Sequence, residues 1–322
     1  MMLTPPLQRR LRALGLALLL GALGQAAPAE ERFNPCDYTG FDSPCAVPGG
    51  EYRALKPPGK GPFPTVVYLH GSLGEADEIS ARRYFQRTVI ARGYVLLVPR
   101  ALDVVRYKSG RGTGWSHAAR TDHPRDDIGF LARVLDHAEA RFRIDRRRVV
   151  FAGQSDGGFL IWEIACHRPG LAAAYAVHAA SYGGPLPERC AAPMRFLQAH
   201  GRRDRVVPFE RARWRYGRLS AANPVEGLAL LARANRCSGS KGKPVAPFHG
   251  FRRISWQGCA RGAALDYLVH DGGHSYPWQW MPAVLDWFEG FDLSPPAVGQ
   301  RTVRRAGERS GAFKAVPGRG AD

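Results

Sequence analysis

The stretch Val149-Val150-Phe151-Ala152-Gly153-Gln154-Ser155-Asp156-Gly157-Gly158 is where chemistry is most legible in this chain. A β-branched and aromatic run ends in glycines, and apolar residues at helical spacing (Phe159, Leu160, Trp162, Ile164, Ala165) follow at once. In that setting Gly153-x-Ser155-x-Gly157 has the form of a nucleophile elbow, a sharp strand-to-helix turn that lifts a serine hydroxyl above a sheet. Glycines flank the serine because a side chain at either place would collide with the neighbouring strand or helix. A serine nucleophile also needs a base to take its proton, an acid to orient that base, and donors for the oxyanion.

The acid candidate is Asp204, in residues 196–204 (FLQAHGRRD), where a strand carries a loop to the rim of a sheet and Val206-Val207-Pro208 then packs it down. The base candidate is His274, in residues 268–277 (LVHDGGHSYP). Two glycines after a strand supply a flexible loop that can swing an imidazole over the serine. The rivals are His270, nearer the strand end, and His200, which reads as a brace for the Asp204 loop. One oxyanion donor is expected to be the backbone N–H of Asp156 and the second an amide of His70-Gly71-Ser72-Leu73-Gly74, with Ser72 the candidate and His70 a structural loop residue. A carboxylate beside the oxyanion would oppose catalysis. The Asp156 side chain is therefore expected to turn away, near the helix N-terminus, where negative charge is favourable. Trp115, Trp278 and Trp280 follow catalytic or glycine-rich loops and are candidates for an aromatic substrate rim, Trp280 being equally suited to packing under a closing helix.

The elements that must position these residues alternate along the chain. Strands are expected at residues 64–69 (PTVVYL), 94–98, 148–152, 172–177, 195–199, 252–256 and 265–269. Helices are expected at 79–92, 126–142, 157–167, 224–235 and 282–288, the second with Asp126 and Asp127 at its positive end. Such alternation implies an α/β fold in a single domain, with a mostly parallel central sheet covered by helices on both faces. In such sheets the ligand site lies beyond the carboxyl ends of the strands, and each triad candidate sits just after one.

Around this body lie segments of other character. Arg9, Arg10 and Arg12 precede an apolar run at 13–23, and Ala27-Pro28-Ala29 offers small residues for cleavage. That is the order of a secretory signal, so residues 1–29 are expected to be removed on export, leaving a secreted or periplasmic protein with no stable membrane association. Residues 30–50 read as a disulfide-stapled lead-in, 51–294 as the catalytic domain, and 295–322, rich in Gly, Arg and Ala without apolar period, as a basic disordered tail. The six cysteines (Cys36, Cys45, Cys166, Cys190, Cys237, Cys259) all follow the signal, and an even number in an oxidising compartment implies disulfides. Consecutive pairing, 36–45, 166–190 and 237–259, is the expectation. No Cys-x-x-Cys or Cys-x-x-His spacing points to zinc. The formal charge of +18 is carried mainly by arginine, without a basic–aromatic repeat or nucleic-acid motif, so a basic protein that does not bind nucleic acid is expected.

The order Ser155, Asp204, His274 is the Ser…Asp…His order of α/β-hydrolases. The set HGSLG, GQSDGG, HGRRDRVVP and HDGGHSYP resembles the secreted polyhydroxybutyrate depolymerase and feruloyl esterase family, a branch of the α/β-hydrolases, over residues 52–291. The resemblance implies an α/β-hydrolase fold and a serine esterase acting through an acyl-enzyme, with Ser155 as nucleophile, Asp204 as acid and His274 as base. It implies no metal or cofactor, and a polyester oligomer or plant cell-wall ester as substrate. The 166–190 and 237–259 cysteine pairs also resemble that family's arrangement. The chain departs from the family at Ser72-Leu73 and at Tyr276, positions lining the acyl pocket or its rim, and no appended polymer-binding domain is expected. Arginines between Arg202 and Arg218 flank the acid loop and are placed to attract carboxylate-bearing substrates such as hydroxyacid oligomers. The alternatives are a prolyl-oligopeptidase-like serine peptidase, against which the lack of a propeller-sized N-terminal domain counts, and a non-catalytic binding protein on the same fold. A dienelactone-hydrolase reading prefers cysteine where this chain has Ser155.

Overall fold

The computed structural model describes residues 36, 43–72, 83–107, 110–119, 122–215 and 218–291, all within the unit Pro35–Asp322. The expected signal (1–29), most of the lead-in, Leu73 and Gly74, the start of the first expected helix (79–82) and the tail (295–322) lie outside the described residues.

The strands are β1 (Cys45–Val47), β2 (Gly50–Leu55), β3 (Phe63–Leu69), β4 (Val95–Pro99), β5 (Leu102–Tyr107), β6 (Gly110–Gly114), β7 (Ile144–Gln154), β8 (Ala174–His178), β9 (Arg195–Gly201), β10 (Arg213–Arg215), β11 (Arg218–Ala221), β12 (Lys243–Phe248), β13 (Phe251–Ser255) and β14 (Ala264–His270). The helices are α1 (Arg83–Ala91), α2 (Asp127–Phe142), α3 (Asp156–His167), α4 (Pro224–Ala234) and α5 (Trp280–Glu289). Ten strands form one sheet in the order β1-β2-β4-β3-β7-β8-β9-β14-β13-β12. The six from β4 to β14 run parallel, and antiparallel pairs close both edges. The two remaining hairpins are β5–β6 and β10–β11. This is the α/β architecture the alternation implied.

The pleat sorts the apolar residues of the strands onto two faces. On one side Val149 and Phe151 of β7 meet Phe130, Leu131, Val134 and Leu135 of α2 and Leu160, Ile161 and Ile164 of α3. On the other, Val150 and Ala152 meet Phe85 and Val89 of α1 and Met281, Val284, Leu285 and Phe288 of α5. Both faces are buried, which is why the parallel strands read as unbroken hydrophobic runs. The helix starts carry their expected signals. Asp126 caps α2 by accepting from the Gly129 amide at 3.0 Å, and Asn223 caps α4 by accepting from Val225.

The structure departs from the expected pattern at the edges. β1 begins at Cys45, so the sheet starts inside the segment expected as a lead-in. β12 carries Pro244 and Pro247 and is exposed along nearly its whole length, a combination tolerated only at a sheet edge. All six cysteines are paired, Cys36–Cys45, Cys166–Cys190 and Cys237–Cys259, in the expected consecutive order.

Candidate active site

β7 and α3 meet at Ser155, whose φ of 53° and ψ of −121° put a non-glycine residue in strained backbone. A conformation of that kind costs about 1–3 kcal/mol and persists because the surroundings enforce it. The Ser155 amide donates to the carbonyl of His178 at 3.1 Å, and its own carbonyl accepts from the Phe159 amide at 2.9 Å. At Gly157 any Cβ would lie 2.3 Å from the Leu69 carbonyl oxygen and 2.6 Å from that of His70. The end of β3 crosses α3 at that residue, so only glycine fits. The same crossing brings Gly71 against the serine: a Cβ on Gly71 would stand 3.3 Å from Ser155 Cβ and 3.9 Å from its Oγ.

Asp204 is buried, and both its oxygens are engaged. Oδ1 accepts from the amides of Val206 (2.8 Å) and Val207 (2.9 Å), and Oδ2 accepts from His274 Nδ1 at 2.8 Å. Burial pushes the carboxyl up, but hydrogen bonds from His200, His274 and the Val207 amide outweigh it and hold Asp204 well below the usual carboxylate range. With Nδ1 donating to a carboxylate, the His274 ring keeps Nε2 as its basic nitrogen. Gln154, the residue before the serine, donates from Nε2 to the His274 carbonyl at 2.8 Å.

The two loops are held as one piece. The β9–β14 ladder continues past the strand ends as Arg202 N–H to His270 O (2.9 Å) and Arg203 N–H to Gly272 O (3.0 Å). A Cβ on Gly201 would meet the Gly273 carbonyl oxygen at 2.2 Å, so glycine is required where they cross. The His274 loop, expected to swing, is instead pinned by these bonds and by Gln154.

His200 is the expected brace. Its Nε2 donates to the Val207 carbonyl at 2.9 Å and lies 3.4 Å from Asp204 Oδ2, while Nδ1 accepts from Gln198 at 3.3 Å. Gln198 in turn donates to the Ala180 carbonyl (2.9 Å) and accepts from Trp162 Nε1 (3.1 Å). A glutamine inside the apolar run of β9 is the signal from which this network could have been found. His270, the rival base, contacts His178 instead, Nε2 to Nε2 at 2.9 Å, and its Nδ1 accepts from the Gly272 amide at 3.1 Å. Burial holds both histidines below the ordinary imidazole range.

His70 is buried and structural. Its Nδ1 donates to the Gly71 carbonyl (2.9 Å) and its Nε2 accepts from the Ala101 amide (3.2 Å). Asp156 turns its carboxylate away from the serine. Oδ2 accepts from the Trp115 amide at 2.8 Å and Oδ1 from His117 Nε2 at 3.0 Å.

Trp115 corrects an expectation. It is 0% exposed, its indole N–H donating to the His70 carbonyl at 2.8 Å, so it cannot form part of an exposed rim. Trp280 is buried against Tyr276, with ring centroids 5.1 Å apart, and against His178. Tyr276 is half-buried on the same cluster. Trp278 is 64% exposed and stands edge-on to Tyr84 at 5.6 Å. Among the described residues, the one grouping of three possible metal ligands is Cys36, Cys45 and His137, and its two sulfurs are joined in a disulfide.

No protein-family profile matches the chain. Among curated proteins it is similar to the one named "Putative esterase NocK" of Nocardia uniformis subsp. tsuyamanensis, 26% identical over 296 residues that cover 81% of this chain and 83% of that one. It is also similar to a probable feruloyl esterase C of Aspergillus niger, 23% identical over 66% of this chain and 70% of that one. Among solved structures, an acetyl xylan esterase from Aspergillus awamori superposes with a TM-score of 0.55 at 14% identity, covering 75% of this chain and 94% of that one. The fold is the α/β-hydrolase fold. With esterases as its sequence relatives, the chain is a carboxylic ester hydrolase. Among the described residues no helix is long and apolar enough to cross a membrane.

Proposed function

We propose that the protein is an exported serine esterase working through Ser155, Asp204 and His274. The observation that carries this reading is the 2.8 Å bond from His274 Nδ1 to a fully engaged, buried Asp204, with the base loop tied to Gln154, the residue beside Ser155. His274 Nε2 takes the Ser155 proton as Oγ attacks the ester carbonyl, and the oxyanion rests on the amides of Asp156 and Ser72. The imidazolium then protonates the leaving alkoxide, and the alcohol departs. A water, deprotonated by the same nitrogen, attacks the acyl-enzyme. The acid product leaves and the proton returns to Ser155. Asp204 stays ionised throughout and fixes the imidazole tautomer.

Export is supported by the charged–apolar–small order of residues 1–29 and by the pairing of all six cysteines. Esters of aromatic acids of the feruloyl type are the proposed substrates. The naming of one relative as a feruloyl esterase and the exposed Trp278–Tyr84 pair, a surface on which an aromatic acyl group can stack, support that choice.

The test is hydrolysis of methyl ferulate, p-nitrophenyl acetate and a hydroxybutyrate trimer by the wild type and by Ser155→Ala. The expected result is a loss of at least about 10³-fold in kcat for the variant on every substrate, with the highest wild-type kcat/KM on methyl ferulate. Preference for the trimer would transfer the proposal to hydroxyacid oligomers, and an active Ser155→Ala would end the serine mechanism.

A further inference from the structure

Trp115 is bonded to both halves of the proposed oxyanion hole. Its backbone N–H donates to Asp156 Oδ2 at 2.8 Å, and its indole N–H donates to the His70 carbonyl at 2.8 Å. Asp156 carries one of the two proposed donor amides, and His70 stands two residues before the other, Ser72. The tie is shielded from water: Trp115, His70 and Asp156 are all buried.

Each end of the tie is fixed a second time. Asp156 Oδ1 accepts from His117, whose ring stacks on Phe159 of α3 at 5.3 Å. His70 is held through both ring nitrogens, by the Ala101 amide and the Gly71 carbonyl. The Trp115 ring has the Arg125 guanidinium 5.8 Å from its centroid, and Arg125 is itself fixed by Asp127 and by the carbonyls of Gly49 and Arg100. Tilting the indole would therefore break a buried hydrogen bond that no solvent replaces.

Oxyanion donors act through preorganisation, because they must already stand about 2.7–3.1 Å from where the charge will develop. The two proposed donors belong to different strand-to-helix turns, brought together by the β3–β7 pairing and by the close approach of residues 69–71 to the elbow. We propose that Trp115 and Asp156 are positioning residues that lock the separation this packing leaves, a role that rests on the reading of Ser155 as the nucleophile. The proposal also accounts for an acidic residue directly after the serine. Its carboxylate is the acceptor that draws the Trp115 segment down onto the elbow, and its charge is directed to His117 and the Trp115 amide instead of to the oxyanion.

Trp115→Phe keeps an aromatic ring and removes the indole N–H together with the rest of the five-membered ring, so the melting temperature is read beside the kinetics. Asp156→Ala acts at the other end of the tie and reports independently should Trp115→Phe fail to fold. Asp156→Asn retains an acceptor for the Trp115 amide. For each, kcat and KM on p-nitrophenyl acetate, inhibition by a phenylboronic acid and the melting temperature are measured, and fluorophosphonate labelling of wild type and Ser155→Ala reports the nucleophile separately. The expected result is a kcat lower by about 10- to 100-fold in Trp115→Phe and Asp156→Ala with KM within about threefold. Boronate affinity should weaken by a comparable factor, since its tetrahedral adduct occupies the same hole, and Asp156→Asn should restore both to within about threefold of wild type. Folded Trp115→Phe with wild-type kcat and boronate affinity, while Ser155 still takes the label, overturns the positioning role and leaves the triad standing. Label on Ser155→Ala overturns the triad and the positioning role together.

Discussion

Gln154 Nε2 lies 2.8 Å from the carbonyl oxygen of His274, across 120 residues of sequence. The side chain next to the proposed nucleophile thus holds the backbone of the proposed base, and the spacing of serine and imidazole does not depend on the glycine-rich loop alone. Gln154→Leu removes the donor at nearly constant volume. We expect kcat to fall about tenfold with little change in KM, because small misplacements of a catalytic group lower the rate and leave ground-state binding intact. Steady-state kinetics on p-nitrophenyl acetate measure the effect, and a wild-type kcat would show that the loop holds its place without Gln154.

The His178–His270 pair beneath the site makes stability depend on pH. Burial is the larger cause that holds each imidazole below its ordinary value, helped by His200, and the facing groups His274, Asp204 and Asp271 modify the shift. The Gly272 amide makes His270 Nδ1 an acceptor, so both rings are neutral in the folded state and share one N–H···N contact. Near pH 6.5 the unfolded chain takes up protons that the folded pair refuses. The stabilisation is therefore complete above about pH 6.5 and is lost as pH falls below it toward the folded values. His270→Gln, which keeps a donor toward His178, should flatten the dependence of melting temperature on pH between about 6.5 and 5. Equal slopes in variant and wild type would show that these rings do not govern acid sensitivity.

The residues of the proposed triad share one property: each follows a strand whose apolar run ends in glycine or a charged turn. Ser155, Asp204 and His274 are legible as candidates for that reason, and the contacts of His274 and His200 with Asp204 agree with the roles proposed for them. Trp115 was not legible in that way. An aromatic residue after a glycine-rich stretch looks like a rim residue, and what draws it inside is a pair of hydrogen bonds to residues more than 40 positions away. Gln154 was hidden in the same way, since the middle of Gly-x-Ser carries no pattern of its own. The edge strands were missed for a different reason. β12 has two prolines and exposed side chains on both faces, which removes the alternation by which a strand is recognised.

Cys166 and Cys190 join the end of α3 to the segment that leads into β9, closing 24 residues of sequence separation. The Ala191 amide donates to the Cys166 carbonyl at 2.7 Å beside the bridge, so the backbone there is also paired. Ser155 stands at the opposite end of this 12-residue helix, and the bridge should act on stability more than on chemistry. A loop of this size corresponds to about 3 kcal/mol of unfolded-state entropy. For a domain of this length that is a shift in melting temperature of about 6–12 °C. Cys166→Ala/Cys190→Ala should therefore melt lower by about that much while keeping kcat at 25 °C within about twofold. Scanning calorimetry beside kinetics on p-nitrophenyl acetate separates the two effects. A large loss of kcat at unchanged melting temperature would mean that the bridge serves the Gln198–His200–Asp204 network through Trp162 of the same helix, and not the stability of the fold.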